Sequence, residues 1–369
     1  MKEGWEYKKL IDVCDFQGGS QPPKSEWINH DSPGYIRMLQ IRDFTQSRKV
    51  SPEYVKLTNR TKCCFSDDIL IGRYGASLGK ILTGIAGAYN VAIMRTIPNE
   101  TLLSKGYLKY YLMSSIFQSF LFNIGGRAAQ AGFNKEDLKC LNIPITTLDE
   151  QRSIVSYLDS SFTLIDEIKN KALKSLTEAK ALFQSALAEA MEPKEGTVME
   201  RIGDVFTTYA GGTPLKSQKD YYEGGEIPWL RSGEVCKKYI SETELYITQK
   251  GMDNSSAKFY PENTVVVAMY GATAAQVGIL KIKATSNQAV CGIIPHKDFI
   301  PEYVYYWFLF VQDDLASQAQ GGAQPNISQI KIKNVLIPII NKEEQKRIVS
   351  HLDKLSSKVR AIEEKYQKM

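Results

Sequence analysis

Histidine is scarce in this chain of 369 residues, and its cysteines are not spaced for metal binding. The three histidines lie far apart, and none of the six cysteines forms a CxxC pair, which argues against a zinc site and against a Ser/His/Asp triad. A GxxxxGK[ST] phosphate loop and an Asn-Pro-Pro-aromatic methyltransferase loop are also absent. The sequence therefore predicts neither a catalytic site nor a metal site, and it favours a binding protein.

Long apolar runs are missing as well. The uncharged stretch Ile81 to Met94 is too short to span a bilayer, and the first ten residues, MKEGWEYKKL, have no apolar core typical of a signal peptide. With unpaired cysteines, these features predict a cytoplasmic location. The net charge of +5 is compatible with nucleic-acid binding but does not require it.

The sequence does contain a long internal repeat. DEQRSIVSYLDSSF (149–162) returns as EEQKRIVSHLDKLS (343–356), 194 positions later. Six further segments match in the same order at offsets of 192 to 197, so the chain reads as module, tail, module, tail. These pairs are DVCDFQGGSQPPKS and DVFTTYAGGTPLKS, YGASLGKI and YGATAAQVGIL, YNVAI and SNQAV, YLKYYL and YVYYWF, GGRAAQAGFN and GGAQPNIS, and DLKCLNIPI and QIKIKNVLIPI.

Both tails are predicted to be helices. Glu150 to Met191 contains no Gly or Pro, and its apolar residues recur every 3.6 positions on average, with Asp149 as a candidate cap and Pro193 as a terminator. Glu344 to Met369 has a mean apolar spacing of 3.5, which is coiled-coil periodicity. The simplest partner for each apolar stripe is the other, in an antiparallel pair. The alternative is two unrelated helices, each packed on its own module.

The modules mix strands and helices. YIRMLQIRDF (35–44), DILIGRYGA (68–76) and NTVVVAMYGA (263–272) are predicted strands, whereas 105–122 and 301–318 are predicted aromatic-rich helices whose rings lie in the core. The predicted fold class is α+β, with two pseudo-two-fold related modules joined by long antiparallel coiled-coil-like helices. The predicted divisions are 1–148 and 193–340 for the modules, and 149–192 and 341–369 for the helical segments.

Candidate DNA contacts cluster at turns that the repeat matches. Arg, Gln and Asn can make paired hydrogen bonds to base edges, and Lys and the amides of Gly turns suit phosphates. For any single residue, an exposed solubilising role is the alternative. The candidates are Arg37, Gln40, Arg42, Arg73, Tyr74, Lys80, Arg127, Gln130 and Asn134 in the first module, and Lys216, Trp229, Arg231, Glu234, Tyr270, Gln276, Gln324, Asn326 and Lys331 in the second.

A family resemblance follows from LNIPITTLDEQRSIVSYLD (141–159) and VLIPIINKEEQKRIVSHLD (335–353), supported by GGTPLKS, IPWLRSGEV, ILIGRYGASLGK, GAYNVAIM and GGAQPNIS. These segments resemble the specificity subunit of type I restriction–modification systems. The resemblance covers the whole chain in the family's order: target-recognition domain, central helix, second target-recognition domain, distal helix. The doubled IP…EQ…IV…LD tail is specific in combination.

The resemblance implies a non-catalytic DNA-reading subunit with no cofactor of its own. Each module would read one half of a bipartite, asymmetric double-stranded DNA target, and the helices would set the gap. The tails would dock two methyltransferase subunits that use S-adenosylmethionine, and two helicase-nuclease subunits that use ATP and Mg could join this core. The residues expected to face these partners are Glu150, Gln151, Arg152, Glu344, Gln345 and Lys346.

The two tails differ in length, because the first runs over 42 residues and the second over 26. Either a short pairing suffices, or the chain is truncated at its C-terminus. Two rival functions stay open at this point. One is a two-headed coiled-coil scaffold that binds protein, and the other is the same DNA-reading architecture in a methylation-only defence system.

Overall fold

The computed structural model describes residues 4–46, 50–125, 132–318 and 326–368. The chain divides into two compact units, Met1–Glu167 and Ile168–Met369. Each unit combines small sheets with helices, so the α+β prediction is confirmed. Within the described residues, no helix is long and apolar enough to cross a bilayer.

The first unit contains an aromatic helical pair and short strands. Its helices are α1 (Leu10–Val13), α2 (Ile41–Thr45), α3 (Lys105–Met113), α4 (Ser115–Gly125) and the start of α5 (Leu148–Met191). Its strands are β1 (Glu6–Lys9), β2 (Cys14–Gly18), β3 (Tyr35–Leu39), β4 (Tyr54–Lys56), β5 (Cys63–Cys64), β6 (Leu70–Gly72), β7 (Ile81–Leu82), β8 (Gly87–Tyr89), β9 (Ile93–Pro98) and β10 (Asn142–Ile145).

Two sheets form the body of the first unit. The order β2-β9-β6-β7 is antiparallel throughout, and the order β4-β3-β8-β5 contains the parallel pair β3–β8. The main core lies between the first sheet and the aromatic helices, where Phe16 and Ile71 pack with Leu108, Leu112 and Phe117. This apolar burial drives the assembly of the unit.

The second unit repeats this arrangement. Its helices are α6 (Ile202–Val205), α7 (Gln249–Asp253), α8 (Pro301–Phe310), α9 (Gln312–Ser317), α10 (Gln329–Lys333) and α11 (Lys342–Gln367). Its strands are β11 (Met199–Arg201), β12 (Thr208–Ala210), β13 (Ile227–Leu230), β14 (Tyr239–Ile240), β15 (Leu245–Ile247), β16 (Val265–Ala268), β17 (Val277–Leu280), β18 (Thr285–Ser286), β19 (Val290–Ile293) and β20 (Leu336–Pro338). The sheet orders are β12-β19-β16-β17-β14 and β15-β13-β18, with β13–β18 parallel as its counterpart is in the first unit.

The first and last strands of each module pair with each other. Strand β1 runs antiparallel to β10, with Glu6 opposite Ile145. Strand β11 runs antiparallel to β20, with Met199 opposite Pro338. Each module is therefore closed where its chain enters and leaves, directly before the tail helix begins.

The predicted strands are too long. The segment 35–44 is extended only to Leu39, because the Gln40 N–H donates to the carboxylate of Asp43 (2.9 Å) and starts a helical turn there. Likewise, only Leu70–Gly72 of 68–76 and Val265–Ala268 of 263–272 are strands. These two strands lead into Gly-containing turns, as predicted, and the turns contain 3₁₀ helices.

The aromatic helices are confirmed in part. Tyr107, Tyr111, Tyr303 and Trp307 are buried, as predicted for core residues. The first helix is broken at Ser114, whose backbone is extended and whose hydroxyl donates to the Tyr111 carbonyl (2.6 Å). The second is divided between α8 and α9.

The long helix α5 starts two residues earlier than predicted. It begins at Leu148, and the Thr147 hydroxyl accepts a hydrogen bond from the Glu150 N–H (3.3 Å). The expectation that Asp149 is the cap was wrong, because Asp149 lies within the first turn and pairs with Arg152 (2.9 Å). Its charge there favours the positive end of the helix dipole.

The end of α5 and the helix α11 run antiparallel within the second unit. Lys180 forms an ion pair with Glu363 (2.7 Å), whereas Lys194, just beyond the end of α5, lies 3.7 Å from Glu344. Residues towards the C-terminal end of α5 and just beyond it therefore face residues towards the N-terminal end of α11. The N-terminus of α11 is capped by the Asn341 side chain, which accepts from the Glu344 N–H (2.9 Å).

The predicted apolar stripe of α5 is exposed at three consecutive positions near its middle and at least partly buried on either side of them. Near its start, Val155 packs on the core of the first unit, and Leu187 near its end joins the core of the second unit. Between them, Phe162, Ile165 and Ile168 are 43–46% exposed. The predicted antiparallel pairing with α11 is therefore seen for the part of α5 that follows this exposed stretch.

Candidate nucleic-acid interface

Four strand ends of the first unit converge on Asn90. The Asn90 N–H donates to Leu39 O at the end of β3 (3.2 Å), and the Ser20 N–H after β2 donates to Tyr89 O (3.0 Å). The Arg73 N–H after β6 donates to Ala92 O (2.9 Å). We call the loops 19–24, 40–46, 73–76 and 90–92 the first loop cluster.

The second unit builds the same cluster with the same bonds. The Asn287 N–H donates to Leu230 O (2.9 Å), the Gly212 N–H to Ser286 O (2.9 Å), and the Met269 N–H to Ala289 O (2.8 Å). We call the loops 211–219, 231–234, 269–273 and 286–289 the second loop cluster. Since both clusters are held by main-chain groups, the side chains can differ while the backbone stays alike.

A glycine permits the close approach in each cluster. A Cβ atom on Gly19 would lie 2.1 Å from the Asn90 carbonyl oxygen, and one on Gly211 would lie 2.2 Å from that of Ser286. Neither position can accept a side chain without moving the backbone. The repeated GG of the two sequence motifs therefore serves the contact between loops.

Glu53 binds three polar side chains of the first loop cluster. Its carboxylate accepts hydrogen bonds from Lys24 (2.5 Å), Gln40 (2.9 Å) and Arg42. The hydrogen bond from Lys24 is the largest influence that lowers the pKa of Glu53. These predicted DNA contacts are therefore brought together, but around a carboxylate of the protein itself.

The guanidinium of Arg37 is also paired within the protein. It donates to Asp43 (2.7 Å), whose side chain is almost fully buried. Asp43 is the residue that starts α2 by accepting from the Gln40 N–H. Arg37 therefore supports the turn after β3.

Arg73 joins two loops of the first cluster. Its guanidinium donates to Phe133 O (3.2 Å) and to Val91 O (3.3 Å), and lies 5.0 Å from the ring centre of Tyr74. Tyr74 is 40% exposed and bridges to Gly132 through the main chain. The geometry makes Arg73 a positioning residue, whereas Tyr74 presents a ring to solvent.

The second loop cluster borders a cleft of about 480 Å³. Its base is formed by Trp229, which is buried and donates from Nε1 to Gly212 O (2.9 Å). The Thr213 hydroxyl donates to the Gln288 side-chain oxygen across the mouth. The lining residues are Thr213, Lys216, Lys219, Tyr222, Glu223, Trp229, Arg231, Leu245, Asn287 and Gln288.

Arg231 repeats the acidic pairing seen in the first cluster. Its backbone N–H donates to Glu234 (3.0 Å), as that of Gln40 does to Asp43, and its guanidinium pairs with Glu244. Glu244 directly precedes β15, as Glu53 directly precedes β4. The two modules therefore share a carboxylate at the same place beside the loops.

Several predicted DNA contacts are placed differently by the structure. The burial of Trp229 corrects the expectation that it contacts DNA, because its indole supports the cleft from below. Gln276 is partly buried, with a side-chain oxygen that has no hydrogen-bond partner among the described residues. Arg127, Gln130 and Gln324 lie outside the described residues.

The remaining candidates lie at the surface. Lys80 is exposed, and Tyr270 is 38% exposed and bridges to Asn326, as Tyr74 does to Gly132. The amine of Lys331 donates to Gln318 O. Asn134 accepts from the Asp137 N–H (3.2 Å) at the start of a 3₁₀ helix, Glu136–Cys140.

Two glutamines of the repeated tail sequence are internal. Gln151 and Gln345 are fully buried, which corrects the expectation that they face a partner. Gln345 accepts from the Ile300 N–H (2.8 Å) and donates to Asp298 O (3.0 Å) and Ile340 O (2.9 Å). Gln151 accepts from the Ser104 N–H (2.9 Å) and makes the corresponding bonds to Leu102 O and Thr146 O.

The neighbouring tail residues are more accessible. Arg152 and Lys346 are exposed and pair with carboxylates three residues earlier on their own helices. Glu344 bonds to Arg347, which lowers the pKa of Glu344. Glu150 accepts from the Trp5 indole N–H (3.3 Å) and the Thr146 hydroxyl (2.5 Å).

A tyrosine of the aromatic helix holds the tail in each unit. The Tyr110 hydroxyl donates to Asp159 (2.5 Å), and this bond is the main cause that raises the pKa of Tyr110 to about 12. Tyr306 donates to Asp353 in the same way. In the second unit the amine of Lys238 also pairs with Asp353 and lies 4.5 Å from the ring centre of Tyr306.

Sequence reasoning did not nominate most of the cleft. Lys219, Tyr222, Asn287 and Gln288 were missed, although SNQAV had been matched to YNVAI as part of the repeat. The match between SNQAV and YNVAI is the sequence signal that could have indicated Asn287 and Gln288. No group of three or more His, Cys, Asp or Glu side chains in the described ranges is arranged to hold a metal ion.

Comparison with known proteins gives a consistent family. Residues 2–178 and 194–369 each match the family model described as "Type I restriction modification DNA specificity domain". The chain is 28% identical over 274 residues to the type I restriction enzyme EcoR124I/EcoR124II specificity subunit of Escherichia coli, covering 72% of this chain and 66% of that protein. It is 23% identical over 388 residues to the putative MjaX specificity subunit of Methanocaldococcus jannaschii, covering 95% and 86%.

Solved structures share the fold at low identity. A structure described as "Structural basis underlying complex assembly and conformational transition of the type I R-M system" superposes with a TM-score of 0.79 at 19% identity, covering 100% of this chain and 94% of that chain. The HsdS subunit from Thermoanaerobacter tengcongensis gives 0.63, also at 19% identity, covering 99% and 92%.

Proposed function

Because this chain belongs to the family of type I restriction modification DNA specificity domains, we propose that it reads a bipartite, asymmetric DNA target, one half with each module. The chain is the non-catalytic recognition subunit. Adenine methylation and restriction belong to partner subunits. The alternative of a two-headed protein-binding scaffold is not favoured by the family membership.

The paired loop clusters carry this proposal. Both are held by matched backbone bonds around an asparagine, Asn90 or Asn287, while the side chains around them differ. Val91 stands in the first cluster where Gln288 stands in the second. Apolar groups contact the thymine methyl group, whereas amides bond to purine edges in the major groove. Two loop clusters with matched backbone bonds and different side chains suit two different half-sites.

The candidate contacts fall into two groups. Exposed Tyr74 and Tyr270, and the cations and amides of the loop clusters, are proposed to face DNA. Arg73 acts by positioning the first loops. The proposed divisions remain modules at 1–148 and 193–340 with helical segments between and after them.

The tails are proposed to dock the partners. Arg152 and Lys346 are exposed at matched places on α5 and α11, so they offer one kind of partner two similar surfaces. We propose two methyltransferase subunits that carry S-adenosylmethionine, and two helicase-nuclease subunits that carry ATP and Mg. The location would be cytoplasmic, where these partners meet DNA.

Adenine methylation in cells tests the proposal. When this chain is co-expressed with a candidate adenine methyltransferase encoded nearby, long-read sequencing is expected to find methylated adenines at one motif of two short parts separated by a fixed gap. Each part would be read by a separate module. Cells with the methyltransferase alone should show no such motif.

Other outcomes separate the alternatives. Methylation of this motif without cleavage of unmethylated DNA would indicate a methylation-only system. Methylation at a continuous motif, or an identical pattern without the chain, would contradict the proposed role.

A further inference from the structure

The two modules hold their matched lysines differently. Lys24 and Lys216 occupy the same place in the repeated motifs GGSQPPKS and GGTPLKS. The amine of Lys24 lies 2.5 Å from Glu53 and 3.8 Å from the ring centre of Trp27. Lys216 and its neighbour Lys219 are exposed and form no side-chain hydrogen bond or ion pair with any residue that the structure describes.

The donors that line the cleft of the second module outnumber its one lining carboxylate, that of Glu223. Lys216 and Lys219 line it together with the amides of Asn287 and Gln288. The side-chain oxygens of these amides already accept bonds, from the Ala289 N–H (3.2 Å) and from the Thr213 hydroxyl. The side-chain N–H groups of Asn287 and Gln288 have no hydrogen-bond partner among the described residues. Such a set suits an anion with several acceptor oxygens.

In the first module the matched lysine, Lys24, is already paired within the protein. Glu53 engages Lys24, Gln40 and Arg42 together, and Asp43 engages Arg37. A cation that is already paired with a carboxylate releases fewer counterions when DNA binds, because its charge is already balanced within the protein. The side chains around Glu53 are thus ordered but largely neutralised.

From this difference, and resting on the proposed DNA-reading function, we propose that the cleft of the second module binds a DNA phosphate through Lys216 and Lys219. The matched cations of the first module, held by Glu53, do not anchor phosphate. The two modules then have different roles at this position. The second supplies more of the salt-dependent attraction to DNA, and the first supplies ordered side chains that can contact base edges. Glu53 also limits binding to DNA of unrelated sequence.

Salt titration of the full chain tests this division. Affinity for a fluorescent duplex is measured by anisotropy at several salt concentrations for the wild type, Lys216→Gln, Lys24→Gln and the double variant Lys216→Gln/Lys219→Gln. Each lost phosphate contact lowers the slope of log affinity against log salt by about 0.9, so the drop in affinity from about 50 to about 200 mM salt shrinks by about 3.5-fold per contact. Lys216→Gln is expected to lose one contact, the double variant up to two, and Lys24→Gln much less than one.

Glu53→Gln is expected to change the salt dependence of DNA affinity in the opposite direction. It keeps the shape of the side chain but removes the charge that holds Lys24 and Arg42, so affinity for unrelated duplexes should rise several-fold at low salt and the slope should steepen. Glu189→Gln, exposed on α5, removes the same charge away from the loops and should change little. Thermal melting checks that every variant is folded.

Each outcome is decisive. An equal loss of slope in Lys24→Gln and Lys216→Gln would overturn the division between modules. A wild-type slope in the double variant would overturn the phosphate site while leaving DNA recognition intact. Absence of duplex binding by the wild type, alone and with its methyltransferase, would instead contradict the proposed function.

Discussion

Exchange of residues 197–340 for the matching module of another specificity subunit is expected to replace the second half-site and leave the first unchanged. The exchanged segment begins just before β11 and ends just after β20, and these strands pair, with the Ile339 N–H donating to Val198 O (2.9 Å). Both graft junctions therefore lie next to each other. Under the proposed function, base contacts come from the loop clusters and docking from the tails, so effects at the two surfaces should be nearly additive. Methylated adenines in cells that express the hybrid give the result.

The packing of the tail suggests a control graft. Leu187 of α5 and Leu352 of α11 belong to the same core as Tyr303 and Trp307 of α8. A second hybrid that retains Pro301–Phe310 from this chain keeps that packing and should show the same new half-site. A changed first half-site in either hybrid would refute independent reading by the modules. A scaffold protein would give no methylation from the hybrid.

Replacement of Gln345 by Ala is expected to destabilise the second unit by about 3 kcal/mol. The side chain is fully buried, and its removal leaves the Ile300 N–H and the carbonyls of Asp298 and Ile340 without this partner. Each buried polar group left unsatisfied costs about 1–3 kcal/mol, and relaxation of the site recovers part of the total. Denaturant unfolding of the full chain measures the loss.

Two variants complete this test. Gln151→Ala should destabilise the first unit similarly, because its bonds are the same. Lys346→Ala, at the exposed position next to Gln345, should change stability by less than about 0.5 kcal/mol. If Gln345→Ala unfolded like the wild type but lost the methyltransferase, the glutamine would contact a partner after all.

The helices were predictable because their signal is local. Absence of Gly and Pro and an apolar spacing of 3.6 predicted α5 to within a few residues at each end. The repeat predicted two modules of one class, and the family comparison agrees. The burial of Tyr107 and Tyr303 followed from their place in apolar helices.

The charged and polar sites could not be derived from local patterns. Arg37 and Arg42 looked like free cations, since nothing in the sequence shows that Asp43 and Glu53 lie beside them. Trp229 looked like a surface aromatic, but it donates to Gly212, 17 positions earlier. Such contacts depend on how distant strands meet.

The resemblance implies that both tails dock the same kind of partner, but part of their similarity has an internal cause. Gln151 and Gln345 each join the start of a tail helix to backbone that precedes an aromatic helix, and this bonding needs an amide that both accepts and donates. A carboxylate could not donate to the two carbonyls. The glutamine of the EQ motif is therefore explained by folding, and Arg152 and Lys346 remain as proposed partner contacts.

The main-chain bonds around Asn90 and Asn287 bear on how such a protein could acquire new targets. Because the bonds to Leu39 and Leu230 use backbone atoms, a side chain such as that of Val91 can be replaced without loosening the loop on which it stands. Mutations there would alter which DNA is bound while leaving the folded chain intact. New recognition could then arise by single steps through stable intermediates, and the methyltransferase subunits proposed as partners would inherit each new target without changing themselves.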